Sequence, residues 1–415
     1  MTTIRRLIGR VTQVASSSVA QAIQSLSSMI VLMLAAKLLG IEALGLFSIL
    51  YGALILAAAI TTGFVGDTLM VLDRHDPNIQ AGLRFWFVLL SLGLGIVAVL
   101  ISWAQTELSI VGATIYGLVA IAYVAEELTR RSYMAILDFP RLIVVDLVVL
   151  VTTSSILLGM ALVQTLTIEI FLVAVLGGQV VGTLYGWLRL PRSEKVSAQR
   201  PARIKMVADF GIWRSALQGL RPAQLTVTRF LVIALIGLVA AGQLEAARLY
   251  AAPAMLVVSG TCSFLFASLA RQRDQAPLQQ LHQTDRSVLK LFLATLGCAV
   301  IGMSLLPWGG PLLTGMIPSA LAVTGWLAYA SAVAVSTPYG LLAAVYEKAR
   351  TVFVIRLADS ILSVLLVLLV LSLTDDYRLV PWAAALGAVA GGLTVRRWLI
   401  HEIRTEEKVL ANLSS

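Results

Sequence analysis

The stretch FWFVLLSLGLGIVAVLISW, Phe85–Trp103, holds no charged residue and no proline. Wound as a helix at about 1.5 Å per residue, it approaches the thickness of a bilayer's hydrocarbon core. A second run, SILSVLLVLLVLSL (Ser360–Leu373), reads the same way, and such runs recur along the 415 residues. Hydrophobic residues make up 59% of the chain and charged residues 13%, against roughly 25% charged in a soluble domain. The mean hydropathy is +0.90. Lipid offers no partner to backbone polar groups, so segments this apolar span as helices, and the short period-two segments of a membrane barrel are absent. The chain is predicted to be an all-α, polytopic membrane protein.

Apolar runs set against polar breaks predict twelve transmembrane helices, near 11–36, 43–71, 83–103, 109–137, 141–163, 167–189, 206–239, 244–270, 287–306, 319–346, 351–373 and 380–400. Alternate breaks differ in charge. Those on one side, with both termini, hold 25 of the 31 Lys and Arg; the other side holds Lys37, Arg248 and Arg378. By the positive-inside rule the basic side is cytoplasmic, which puts both termini there in a bacterial inner membrane. Arg5, Arg6 and Arg10 precede the first run with no small-residue cleavage site behind a short apolar core, so a retained first span is expected. The net charge of +9 therefore belongs to membrane topology, and no basic arm suited to nucleic acid is present.

The longest basic break, LPRSEKVSAQRPARIK (Leu190–Lys205), falls about halfway along. It divides the expected layout into an N-terminal lobe (1–190), a basic cytoplasmic linker (191–205), a C-terminal lobe (206–400) and a cytoplasmic tail (401–415). The lobes read as copies. GIEALGLFSILYGALI after span one has a counterpart in GQLEAARLYAAPAMLV after span seven, and Asp138-x-x-Arg141 is matched by Glu347-x-x-Arg350. Equal placement in two halves predicts a parallel repeat, with an axis along the membrane normal.

Two spans carry polar stripes. In span one, Gln13, Ser17, Gln21, Gln24 and Ser28 recur at three- or four-residue intervals and share a helical face. Span seven does the same with Arg214, Gln218, Arg221, Gln224 and Thr228, flanked by Arg229. An arginine at the bilayer centre costs about 2.5–3.5 kcal/mol even on the lenient insertion scale, so these faces are not expected to meet lipid. Two readings stand for them. The glutamines could bond across a helix seam and Arg214 could snorkel to headgroups. Alternatively, both faces line a polar cavity whose guanidinium forks receive phosphate. Arg221 and Arg229 lie progressively deeper, and Pro222 removes a helical hydrogen bond, which marks a hinge candidate or an inert kink.

Other charges inside the spans are read locally. Glu126 and Glu127 stand at i, i+4 to Arg130 and Arg131 and are expected to pair there, as are Arg356 and Asp359. Asp67 and Asp146 lack a local partner and are candidates for a counter-ion to a span-seven arginine or a coupling proton site. Cys262 and Cys298 read as small core residues. His75, His282 and His401 show no metal-ligand spacing, and neither a P-loop nor a paired-carboxylate site is present, so no metal, cofactor or catalytic centre is expected.

The six-plus-six layout, AAKLLGIEALGLFSILYG at the span one–two turn, and DFGIWRSALQGL with TRFLVIALIGLVAAGQLEAARLYAA in span seven and beyond resemble the multidrug/oligosaccharidyl-lipid/polysaccharide (MOP) flippase superfamily, in its polysaccharide repeat-unit (O-antigen-type) branch. The resemblance implies two lobes in a V around a central cationic cavity bordered by spans one and seven. It implies movement of a polyprenyl-diphosphate-linked oligosaccharide from the inner to the outer leaflet by alternating access. On that analogy Arg214, Arg221 and Arg229 hold the diphosphate, while Gln21, Gln24 and Gln218 meet sugar hydroxyls; Gln224 and Ser28 belong to the same substrate-binding faces. The implied partners are the lipid-linked oligosaccharide, membrane lipids and other polysaccharide-assembly proteins, and the implied state is a monomer. Twelve spans without two more set the chain apart from the lipid II flippase branch.

A cation-coupled multidrug exporter of the same superfamily is the alternative, but buried acids should dominate its cavity. A major facilitator is disfavoured because VLDRHDP between spans two and three lacks that group's Gly-x-x-x-Asp-Arg-x-Gly-Arg-Arg pattern. A polysaccharide polymerase or ligase needs a long outer loop, whereas AQTEL (Ala104–Leu108) and TDDYR (Thr374–Arg378) are short.

Overall fold

A computed structural model of the chain describes its backbone except at residues 1, 107, 196–200, 272–276, 346–348 and 414–415. Side chains at 2–18, 105, 263–264, 266–268, 270–271, 277, 344–345, 349 and 406–413 also fall outside the described set, which includes those of Gln13 and Ser17. Among the described residues are twelve long helices and no strand. In the first half they are α1 (Thr2–Leu38), α2 (Ile41–Val71), α3 (Pro77–Gln105), α4 (Ile110–Ala135), α5 (Phe139–Ala161) and α6 (Ile168–Arg189). They continue as α7 (Ile204–Leu235), α8 (Leu238–Arg271), α9 (Pro277–Thr314), α10 (Ala320–Val345), α11 (Ala349–Thr374) and α12 (Val380–Leu413). Each matches one of the twelve expected spans. Ten contain an apolar window long enough to cross a membrane; the others are α7, interrupted by its arginines, and α8, with Glu245 and Arg248 near its start.

Surface and interior are arranged for lipid. Along α3, Phe85, Val88, Leu89, Leu92, Ile96 and Leu100 are all exposed. In water so wide an apolar stripe would be an association face, whereas in a bilayer it is ordinary helix surface. With apolar groups on both sides of each interface, helices hold together by close packing and polar contacts. Gly178, Gly182 and Gly186 of α6 recur every fourth residue against Val145, Val149 and Thr153 of α5, and Gly387 and Gly391 of α12 abut Ser363 and Asp359 of α11.

The helices form two compact units, Met1–Arg229 and Phe230–Ser415, whose division falls inside α7. Within the first unit, α4 packs against α2, α3 and α6, and α5 against α6. Within the second, α10 packs against α8, α9 and α12, and α11 against α12. The pairing repeats with a shift of six helices. It extends to single bonds: Tyr116 of α4 donates to the Leu50 carbonyl of α2 at 2.8 Å, and Trp326 of α10 donates to the Leu244 carbonyl of α8 at 3.2 Å.

Helix starts follow the chain's capping residues. Asp76, Ser109, Asp138 and Thr167 accept from the amides of Asn78, Gly112, Arg141 and Ile170 and so satisfy first-turn donors. Asp138-x-x-Arg141 is thus a cap with an ion pair of 3.0 Å; Glu347 of the matching motif lies outside the described residues. Gly40 and Gly237, at φ 83° and 117°, make the α1–α2 and α7–α8 turns. The second turn comes five residues before Gly242, so Gly237 occupies the place of Gly40. Between α11 and α12, the fork of Arg378 on Asp376 holds that carboxyl below its usual range. Helix α12 continues through residues assigned to the tail.

Candidate functional site

The first part of α7 lies against α2 with almost no side chain between the backbones. A methyl on Gly63 would sit 2.6 Å from Cα of Ser215, and one on Gly211 would sit 2.6 Å from the Phe64 carbonyl oxygen. Ser215 Oγ donates across the seam to the Ile60 carbonyl at 2.9 Å. Here α2 widens into a π-helical turn, Thr62–Gly66, whose extra residue per turn rotates everything after it. Asp67 follows at once. Its buried carboxylate lies 3.5 Å from Arg131 of α4 and 3.8 Å from Arg214 of α7, and accepts from Gln218 at 3.3 Å.

The α7 stripe divides by depth. Arg214, Gln218 and Arg221 are exposed, and the Arg214 guanidinium stacks over Phe210 at 4.7 Å. Gln224, Thr228 and Arg229 are buried. The Arg229 head occupies the space left by Gly52 of α2, where a methyl would come within 2.7 Å of Nη1. Pro222 lies inside a helix that runs unbroken to Leu235. On α1, exposed Gln21 donates to Gln24 at 3.0 Å, and Gln24 donates to Glu127 at 3.3 Å.

Arg130 of α4 is fully buried. Its guanidinium bonds Asp146 of α5 at 2.8 Å and Glu127 at 2.9 Å, with Glu126 at 3.9 Å. Arg131 reaches Glu127 at 3.4 Å and Asp67 beyond it. A continuous polar chain thus runs from Gln24 through Glu127, Arg130 and Arg131 to Asp67, Arg214 and Gln218. Asp146, a counter-ion candidate in the sequence, bonds Arg130 of the neighbouring helix. Local i, i+4 spacing suggested the Glu126–Arg130 and Glu127–Arg131 pairs, but their burial and their junction with Asp146 require the fold. Sequence reading also passed over Gln179 and Thr153. With Gln24, Ser28, Glu126 and Asp146 they line a cavity of about 50 Å³, where the buried Oε1 of Gln179 has no protein hydrogen-bond partner.

The named ionic groups of this chain are four carboxylates (Asp67, Glu126, Glu127, Asp146) and three guanidiniums (Arg130, Arg131, Arg214). Carboxylates buried this close together need a cation or a proton among them, since an uncompensated buried charge costs several kcal/mol. The arrangement can take up a proton or a monovalent cation at one end and, through Arg214, exchange an anion at the other. In the second unit the ionic groups form local braces. Arg356 joins Asp359 at 3.2 Å and the Ser336 carbonyl at 2.9 Å, and Arg396 forks onto Asp285, which also accepts from Tyr339.

No protein-family model matches the sequence, and no curated protein matches it significantly. Solved structures do. An outward-facing multidrug resistance MATE family transporter of the MOP superfamily aligns with a TM-score of 0.68 at 15% identity, over 95% of this chain and 96% of that one. An inward-facing structure described in the same words gives 0.69 at 16%, over 93% and 96%. A MOP superfamily transporter from Pyrococcus furiosus, whose binding pocket is described as of reverse polarity and as suggesting a different function, gives 0.66 at 14%, over 94% and 95%. The chain has the two-lobed, all-helical fold of the MATE transporters of the MOP superfamily.

Proposed function

We propose that the chain is an alternating-access membrane transporter, not an enzyme, and that its cargo is a polyprenyl-diphosphate-linked oligosaccharide moved between leaflets for cell-surface polysaccharide assembly. The fold supports the transporter part. The cargo rests chiefly on one observation: Arg214 is 44% exposed, while the carboxylate nearest it is buried and shared with Arg131. An incoming phosphate can take Arg214 without stripping Asp67 of its remaining partner. Arg221 lies two turns along, about 10 Å by helical rise, and Arg229 is deeper. On this reading the arginines receive the diphosphate, with Gln21, Gln24, Ser28, Gln218 and Gln224 toward the sugars. Pro222 serves as the hinge, and the basic helix ends face the cytoplasm. The buried acid cluster offers the cycle a carboxyl that can take up a coupling proton or cation, with Asp67 the link between ion and cargo.

The multidrug exporter reading has its own support in the buried acids around Arg130 and in the named activity of two fold neighbours. Binding in lipid nanodiscs separates the two. Wild type, Arg214→Ala, Arg221→Ala and Arg229→Ala are titrated with a polyprenyl-diphosphate oligosaccharide and with a polyprenol lacking phosphate. Loss of one charge-assisted contact is expected to weaken phosphate-dependent binding about 10-fold or more. Equal binding in all four proteins, or binding of hydrophobic cations alone, would move the assignment to drug export.

A further inference from the structure

A second cavity, of about 220 Å³, lies in the first unit away from the α7 arginines, between α3 and α6 at their basic ends. Helix α4 floors it with Leu128 and Ser132, and Val65, Leu69, Leu83 and Phe87 complete an apolar wall. Its rim is polar: Arg74, Arg84, Gln80 and Glu194. The volume exceeds the roughly 150 Å³ of an engineered apolar cavity that admits benzene.

Three observations say what fits. The flanking helix faces look onto lipid, since Phe85, Val88 and Leu89 on one side and Leu184 and Leu188 on the other are exposed. A hydrocarbon chain can therefore enter sideways from the bilayer. Trp187, half exposed beside the opening, carries Lys195 over its ring at 5.5 Å, an amphipathic aromatic of the kind that settles at headgroup level. The charged groups lining the cavity, Arg74, Arg84 and Glu194, sum to one positive charge, the complement of a phosphodiester monoanion.

The mouth is built, too. Arg74 is tied to Glu194 at 2.8 Å, with His75 at 3.9 Å from the same carboxylate. Gln80 donates to the Arg74 carbonyl at 2.7 Å. On the far side of the linker, Arg203 donates its amide to the Asn78 carbonyl at 3.1 Å and lies 3.6 Å from Asp76. Both described ends of the linker are thus fastened to the α2–α3 turn that carries the rim.

We infer that this cavity binds an anionic membrane phospholipid, its phosphate at Arg84 and Arg74 and the start of an acyl chain against Leu83, Phe87 and Leu128. The site is independent of the transported cargo. A lipid held there ties the linker and the α2–α3 turn to the membrane surface.

Native mass spectrometry of detergent-purified protein offered equal phosphatidylglycerol and phosphatidylcholine tests this. Wild type should retain phosphatidylglycerol in about five-fold preference, the scale of one basic contact at a membrane surface. Arg84→Gln should lose that preference, while Arg141→Gln, which removes a cation from the first turn of α5, should keep it. Ser132→Phe, which fills the floor and alters no charge, should also lose it. Equal retention of both lipids by wild type, an equal loss in Arg141→Gln, or an unchanged preference in Ser132→Phe would each overturn the site.

Discussion

Arg130 shows what a single buried cation does in this chain. It has almost no exposed surface and draws Asp146, Glu127 and Glu126 onto one guanidinium from two helices. Replacing it by methionine keeps much of the volume but leaves three carboxylates facing one another, so Arg130→Met should destabilise the protein by about 3–5 kcal/mol. Adding Asp146→Leu removes one abandoned charge, and the double variant should be more stable than the sum of the single losses predicts. Thermal melts of the detergent-solubilised proteins measure both. Asp67 is expected to behave differently, because in the proposed cycle it would yield Arg214 to the cargo. Asp67→Asn should bind a polyprenyl diphosphate at least as tightly as wild type while transporting it more slowly, as seen by nanodisc titration beside a leaflet-exchange assay. Sequence spacing made the Glu126–Arg130 and Glu127–Arg131 pairs legible, since i, i+4 neighbours meet on any helix. The bond from Arg130 to Asp146 was not legible, because it depends on which faces of α4 and α5 pack together.

At the scale of the helix, the α2–α7 seam owes its closeness to two glycines. Gly63 stands where a methyl would collide with backbone, at 2.6 Å from Cα of Ser215, whereas at Gly219 the nearest atom is a flexible Ile60 carbon at 3.4 Å. Gly63→Ala should therefore push the helices apart at a cost of about 1–3 kcal/mol. Gly219→Ala should be neutral or mildly stabilising through its gain in helix propensity, within about 1 kcal/mol. If the two variants melt together, the seam is looser than the contact distances imply. Ten of the helices were readable as plain apolar runs because lipid leaves a helix few polar positions, and α7 and α8 as runs interrupted by charge. The π-helical turn at Thr62–Gly66 was not, since it arises from packing on α7 and α4 and leaves no periodic trace. The α7–α8 turn was displaced for a related reason. LIGLVAAG stays apolar through the break, and the positive φ at Gly237 belongs to the backbone, with no change in hydropathy to announce it.

For the whole molecule, the open matter is which residues move as one body. The basic linker marks halfway in sequence, yet the compact units divide at Arg229 and Phe230, so the part of α7 that carries Arg214 and Arg221 belongs with α2. The reason is physical: Ser215, Gln218 and Arg214 all find partners on α2, and two glycines let the backbones meet. A crosslink between α2 and α7 tests whether that union persists through a transport cycle. A methyl on Gly219 would lie 3.4 Å from a γ carbon of Ile60, within reach of a disulfide. Cysteines would replace Ile60 and Gly219 in a chain whose Cys262 and Cys298 have been changed to serine. If α2 and the first part of α7 travel together, oxidation should leave transport within about two-fold of the reduced protein, since the bond joins parts of one body. Oxidation that abolishes transport, with recovery on reduction, would mean that α7 leaves α2 in each cycle. The Asp67–Arg214 contact would then break during transport, not merely exchange partners.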